Sequence, residues 1–321
     1  MKFNPILVVA GEPNSIFLEI FFKSINNKQI KNPIILIASL KLLKLQMSKL
    51  KVKKQINIIN NKNLAQNKIF KNKINLINVN YSPKKPFEKI SNKSNNYLSN
   101  CFKLAFEIIR KNEIRKFING PINKKTFLNR NYLGITEYIS KKFKIKKTAM
   151  LIYNKKLSVC PLTTHLPLKH VAKKINKKNI IEKVELIENF YKSVIKKKPK
   201  IGVVGLNPHC ESIDKYNEDE KIIYPTIKYL NKLNYKISGP YPADTIFLKK
   251  NRKKYDVILG MYHDQVLTPL KTLFEYDAIN ITLGLPFMRI SPDHGPNEKM
   301  LGKNLSNPLS LIRAINFLDK N

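Results

Sequence analysis

Residues 6–13 read Ile-Leu-Val-Val-Ala-Gly-Glu-Pro. Five consecutive apolar residues are too few for an amphipathic helix, and they have no polar face. A strand covered on both sides reads this way, and a glycine turn at its end is how a parallel strand passes the chain to a helix. The fold class predicted is therefore α/β, and the same rhythm continues outward. Ile34–Ile37 precedes a helix candidate at Leu40–Leu50. Leu98, Phe102, Ala105, Ile108 and Ile109 lie at helical spacing before a short strand at Phe117–Asn119. Ala149–Tyr153 and Leu157–Leu162, split by Asn154 and Lys155, predict a hairpin. A helix over Ile180–Ile195 stops before Pro199, and strands follow at Ile201–Gly205, Tyr255–Gly260 and Ile279–Leu283. Asn307 and Pro308 open a final helix that runs to about Leu318. Between Lys51 and Asn80, Lys, Asn and Ile mix with little periodicity, so no element is assigned there. No GxGxxG follows any strand, which argues against a Rossmann cofactor site.

With 321 residues and 43% hydrophobic content, the chain can form one large domain or two packed lobes. No apolar run approaches the ~20 residues needed to span a bilayer. The run at 6–10 is also shorter than the ~7–15 apolar residues of a signal peptide. A cytoplasmic protein with no membrane association is expected. Cys101, Cys160 and Cys210 form no CxxC pair, so reduced thiols are expected. The 60 Lys and Arg against 22 Asp and Glu leave a net charge of +38, a field that attracts polyanions. The excess is mostly Lys, dispersed among Asn and Ile, as an AT-rich coding sequence produces. Nucleic-acid binding is accordingly not expected as the main function, and Lys196–Lys200 reads as a solvated helix end.

Three histidines each follow a strand-like run: His165 in TTHLPL, His209 in GLNPHCES and His263 in GMYHDQ. Sites of α/β folds lie at the ends of parallel strands. Three neutral imidazoles there would hold a divalent cation with positions open for substrate; ordinary polar histidines are the alternative. His170 reads as a surface residue. Asp244 and Asp264 stand out in an acid-poor chain and could orient a ligand histidine or balance a metal's charge. Asp244 fits a turn or cap equally well. Arg289, with its bidentate fork, and Lys271, with a point charge, sit in apolar, Lys-poor text and suit a substrate carrying phosphate and carboxylate.

Seven segments in order resemble the 4-hydroxythreonine-4-phosphate dehydrogenase family: GEPNS at 11–15, GPINKK at 120–125, TTHLPL at 163–168, GLNPH at 205–209, GPYPADTIF at 239–247, MYHDQVLTPLK at 261–271 and NITLGLPFMRISPDHG at 280–295. The resemblance implies an isocitrate/isopropylmalate dehydrogenase-like fold, two-lobed and three-layered α/β/α, with the site in the cleft between lobes. It implies a first lobe of 1–130 plus 276–321 that includes the cofactor-contacting segment, and a second of 131–275 with metal ligands and dimer contacts. It makes His165, His209 and His263 the metal ligands, and Thr136, Lys271, Asn280 and Arg289 substrate contacts. Lys271, Asp244 and Asp264 would serve catalysis, and Asp293, His294 and Gly295 would meet the cofactor. It also implies a homodimer with a shared site, using NAD or NADP and Zn, Co, Mn or Mg. The reaction implied is oxidation of 4-phosphooxy-threonine, with decarboxylation, in pyridoxal phosphate biosynthesis.

The chain departs from the family where Gly134-Ile135-Thr136-Glu137 replaces Gly-His-Thr-Glu, because Ile135 cannot donate a hydrogen bond. HGPN likewise replaces HGTA. Two other readings follow: a dehydrogenase of the same fold acting on a phosphorylated four-carbon sugar acid, or a degenerate enzyme fold that binds through its basic charge.

Overall fold

The computed structural model describes residues 4–26, 30–111, 113–128, 131–214, 216–292 and 294–321. Asp293, one of the expected cofactor contacts, lies outside them. The chain divides into two compact units, Met1–Tyr138 with Pro286–Asn321, and Ile139–Leu285. The boundaries thus fall after Tyr138 and Leu285 instead of after 130 and 275, so 131–138 belong with the first unit and 276–285 with the second.

The first unit contains strands β1 (Ile6–Val9), β2 (Ile34–Ala38), β3 (Ile56–Ile58), β4 (Ile74–Asn78) and β5 (Lys116–Asn119), together with β12 (Met288–Pro292). Their order is β3-β4-β2-β1-β5-β12 and every pairing is parallel. All four residues of β1 are fully buried, as the unbroken apolar run requires. Helices α1 (Phe17–Ser24), α2 (Leu40–Lys49), α3 (Asn95–Arg110) and α4 (Lys124–Phe127) follow the strands in turn, α5 (Ile135–Lys142) begins in this unit and runs past its boundary at Tyr138, and α11 (Leu309–Lys320) closes the chain. Ser39 caps α2 by accepting from the Leu42 amide, and Asn307 accepts from the Leu309 amide at the start of α11. α3 and α11 both pack on β1. The first of these buries Leu98, Phe102, Ala105, Ile108 and Ile109, the face read from the sequence.

The second unit contains β6 (Ala149–Tyr153), β7 (Ser158–Pro161), β8 (Ile201–Val204), β9 (Ile237–Tyr241), β10 (Val257–Gly260) and β11 (Ile279–Leu283), in the order β11-β6-β7-β10-β8-β9. β7, β10, β8 and β9 run parallel, whereas β6 is antiparallel to both β11 and β7. The expected hairpin is β6–β7, with Ile152 opposite Val159. Helices α6 (Lys177–Phe190), α7 (Tyr224–Lys232), α8 (Ala243–Ile246), α9 (Lys249–Arg252) and α10 (His263–Phe274) complete it. The last turn of the long helix predicted to Ile195 widens into a π-turn at Tyr191–Ile195. Ile152, Val159, Val204 and Ile258 form a core with Val266, Leu267 and Leu270 of α10. Each such aliphatic side chain contributes roughly 1.5–3 kcal/mol by burial. Among the described residues no helix is long and apolar enough to cross a membrane.

Candidate active site

Three neighbouring parallel strands of the second unit end at the same edge, and each delivers one of the predicted histidines. β7 is followed by His165, β10 by His263 and β8 by His209. The loops after β7 and β10 are stitched together where Thr163 donates twice to Met261 O, from its amide at 3.2 Å and its hydroxyl at 2.8 Å. The rings of His165 and His263 consequently lie 5.8 Å apart between centroids. Their spacing and 36° tilt allow both to reach one cation at ~2.0–2.1 Å. His263 opens α10, and its Nδ1–H donates to Asp264 at 2.6 Å, leaving the Nε2 lone pair for a ligand.

His209 is placed differently. It is exposed, in a tight turn with φ 55°, and Cys210 after it has φ 64°. Asp219 holds the root of this loop by accepting from the Leu206 and Asn207 amides at 2.8 and 3.0 Å. Gln265 ties the loop's base to α10, accepting from the Met261 amide and donating to Gly205 O, each at 2.7 Å. Among the described residues, no three His, Cys, Asp or Glu side chains of one chain gather into a ligating group. Asp219 and Gln265 were not singled out from the sequence. Gln265 ends the MYHDQ segment, which was its available signal, whereas Asp219 lies ten residues past GLNPH and had none.

Asp244 lies in the first turn of α8, just past β9, and is exposed. It is close enough to Cys210 to help raise that thiol's pKa to about 11, after burial and Asp219. Lys271 is exposed near the end of α10, and His170 is exposed as expected. Asn280 stands on β11 opposite Ile152, and its Oδ1 is buried without a hydrogen-bond partner. An orphaned buried acceptor costs about 1–3 kcal/mol unless a ligand supplies a donor.

In the first unit Arg289, on β12 beside Phe117 of β5, is completely buried. Its Nε–H donates to Asn119 Oδ1 at 2.7 Å and its guanidinium reaches Thr136 Oγ1 at 3.4 Å. Burial draws the guanidinium's pKa down to about 10, with Glu137 nearby opposing that, so it is charged at neutral pH. Thr136, the expected substrate contact, is therefore bound up with Arg289. Asn119 is a further member that the sequence reading missed, although it directly precedes GPINKK. Ile135 is half-buried in the first turn of α5.

The ends of β1, β5 and β12 meet in the same unit. Gly11 has φ 76°, and a Cβ there would lie 2.3 Å from Pro121 O; a Cβ on Gly120 would lie 2.1 Å from Ala10 O. The two backbones touch, which only glycine permits. The Ile16 amide donates to Pro296 O at 3.1 Å, anchoring the segment that holds His294 and Gly295. His294 Nδ1 is 2.9 Å from Gly295 O, and the space a Gly295 Cβ would enter is open.

Glu12, at this junction, is buried and accepts from the Asn14 amide and the Ser94 hydroxyl. Burial raises its pKa from 4.5 to about 7, with Asn14 and Ser94 opposing and Glu298 adding to the rise. The folded carboxyl keeps its proton to about pH 7, while an unfolded one loses it near 4.5, so stability falls as pH rises through that window. Glu12→Gln should match the parent at pH 4.5 and exceed it at pH 8 by about 1–3 kcal/mol. Urea unfolding at the two pH values measures this.

Comparison with known proteins places these features in context. Residues 29–318 match the family of pyridoxal phosphate biosynthetic proteins PdxA. A 4-hydroxythreonine-4-phosphate dehydrogenase of a Sulfurihydrogenibium species is 37% identical over 319 residues, covering 97% of this chain and 96% of that one. A D-threonate 4-phosphate dehydrogenase of Salmonella typhimurium is 29% identical over 302 residues, 92% of each. The structure of a Klebsiella pneumoniae 4-hydroxythreonine-4-phosphate dehydrogenase superposes with a TM-score of 0.82 at 26% identity, covering 98% of each chain. An isocitrate dehydrogenase of Methylococcus capsulatus shares the fold, with a TM-score of 0.51 at 9% identity over 97% of this chain and 83% of that one.

Proposed function

This chain belongs to the PdxA family of pyridoxal phosphate biosynthetic proteins, and we propose that it oxidises 4-phosphooxy-L-threonine, with decarboxylation, to 3-amino-2-oxopropyl phosphate. It is an oxidoreductase, and the cofactors we assign are NAD or NADP and one divalent cation. The buried thiols of Cys101 and Cys160 suit a reducing compartment, the cytoplasm.

Arg289 is the observation that carries this reading furthest. A wholly buried guanidinium that donates to Asn119 and reaches Thr136, with Glu137 nearby to favour its charged form, is suited to a dianionic phosphate, which it would meet with charge-assisted hydrogen bonds. Asn280 offers its buried oxygen to a substrate hydroxyl or amine. Lys271 takes or returns the proton at the carbon left by decarboxylation.

The donor set fits a divalent cation. His165 and His263 converge, and Asp264 fixes the tautomer of the second. Bound there, a Zn, Co, Mn or Mg ion would supply Lewis-acid polarisation of the substrate hydroxyl, and NAD would supply the hydride acceptor. Since no three ligating side chains gather among the described residues of one chain, we assign the third to the partner's His209, in a homodimer whose sites are shared. Asp244, one strand further along that sheet edge, balances charge near that loop. Asp293, His294 and Gly295 contact the cofactor, the open space at Gly295 admitting it.

Ile135 supports one second reading, a phosphorylated threonate as substrate, because an apolar side chain beside Thr136 offers the amino group no partner. NADH production by metal-loaded protein with each compound separates the two. Turnover of 4-phosphooxy-threonine at least tenfold above the threonate analogue is expected. The reverse order would transfer the assignment to the sugar acid, and no turnover of either would refute both.

A further inference from the structure

The charge of the second unit is polarised along its strands. Past the carboxyl ends of β8, β9 and β10, residues 205–220, 242–247 and 261–265 carry seven acids and one Lys. Before the amino ends of the same strands, residues 196–200, 232–236 and 249–254 carry eleven Lys or Arg and no acid. An even drift toward Lys would have made both ends basic, so coding bias does not account for the contrast. The lysines counted as dispersed along the sequence are brought together by parallel topology, which starts all these strands at one edge.

Backbone hydrogen bonds draw that edge into a line. Ser158 N donates to Asp256 O, Asp256 N to Lys200 O and Ile201 N to Lys236 O, at 2.8–2.9 Å. Four strand starts at ~4.8 Å spacing span about 15 Å, an axial length of duplex that carries roughly four phosphates per strand at 3.4 Å of axis each. Asp256, on the edge, is engaged by Lys197 at 2.6 Å and by the Lys200 amide at 2.9 Å; Glu185 and Glu188 of α6 also face Tyr235 there, and Lys192 pairs with Glu188 at 2.9 Å. Lys196, Lys200, Lys232, Lys236, Lys249 and Lys253 are exposed.

We propose that this basic edge binds the phosphate backbone of nucleic acid without regard to sequence. Lysine supplies point charges suited to phosphate, whereas base reading calls for forks and aromatic platforms, and arginine is represented here by Arg252 alone. A lipid surface fits less well. Lysines alone are drawn to an anionic leaflet only through its surface potential, and the continuous apolar face that would add insertion is missing here, where Leu233 and Leu248 stand singly on short elements. The edge lies a strand length, about 13 Å, from the histidine end, so both can be occupied together.

The test is anisotropy of a labelled 20-base-pair duplex of arbitrary sequence, titrated with the full chain between 50 and 200 mM salt. The parent is compared with an edge variant (Lys196, Lys200, Lys249 and Lys253 each →Gln) and an equal-charge control in the first unit (Lys41, Lys44, Lys49 and Lys53 each →Gln). Unchanged melting temperatures show that both variants fold. The edge variant should bind at least tenfold more weakly, with a log–log salt slope shallower by about 3–4 at ~0.9 per phosphate contact, and the control less than threefold more weakly. Equal losses in both variants would reduce the effect to diffuse charge and overturn the proposal. So would edge-dependent capture by phosphatidylserine vesicles without duplex binding.

Discussion

Arg289→Met is expected to lower kcat/KM by roughly a thousandfold, corresponding to about 4 kcal/mol of lost charge-assisted pairing with the substrate phosphate. Stability should change much less than activity. The parent holds a full positive charge where no side-chain surface reaches solvent, and removing it relieves that desolvation cost, while Glu137 nearby loses the opposite charge that favours its ionised form. The Asn119 oxygen would lose its donor, which offsets part of that gain by about 1 kcal/mol. Arg289→Lys should fall between, since it keeps a charge but cannot span Asn119 and a phosphate at once. Steady-state kinetics beside thermal unfolding decides the matter. A large drop in melting temperature with little change in kcat/KM would make Arg289 a structural residue and remove it from the substrate site.

The second large effect concerns the histidines. His263→Ala should lower metal-supported NADH production by about a thousandfold or more, the scale of losing an activating cation. Metal analysis of the dialysed protein should show the ion lost as well. His209→Ala should be similarly inactive, although no three ligating side chains gather among the described residues of one chain. Mixing the two inactive variants and letting subunits exchange then discriminates. If each site takes His165 and His263 from one chain and the partner's His209, half of all dimers are mixed and each of those has one intact site, restoring roughly a quarter of parental activity. Failure to restore any activity after verified exchange would place all three ligands on one chain and reject the shared site.

How much of this was readable beforehand depended on the contrast between a segment and its surroundings. β1 and β8 were legible because unbroken apolar runs stand out in lysine-rich text. β3 and β4 were not, because Ile56-Asn57-Ile58 and Ile74–Asn78 interrupt their aliphatic residues with Asn inside a stretch where Asn is everywhere. β9 carries Gly239-Pro240 and β12 carries Arg289, residues that ordinarily mark the end of a strand or a surface. The histidines were found because each follows an apolar run, and the closeness of His165 to His263 follows from β7 and β10 being neighbours. Strand order is long-range information that spacing along the chain does not encode. The same gap concealed Asn119 as the partner of Arg289, 170 residues away.

The chain path of the first unit also sets an order of events on the ribosome. β12 pairs with β5, Met288 opposite Lys116, so the sheet of the first unit cannot be completed until all of the second has been synthesised. At 5–20 residues per second, the intervening 147 residues take roughly 7–30 s. Throughout that interval one edge of β5 awaits its neighbour, and such edges invite pairing with other chains. The second unit, continuous in the chain, can assemble first with its three histidines in place. Arg289 arrives only with the closing strand, so a nascent or truncated product would present the histidines proposed to hold the metal long before the arginine proposed to hold the phosphate.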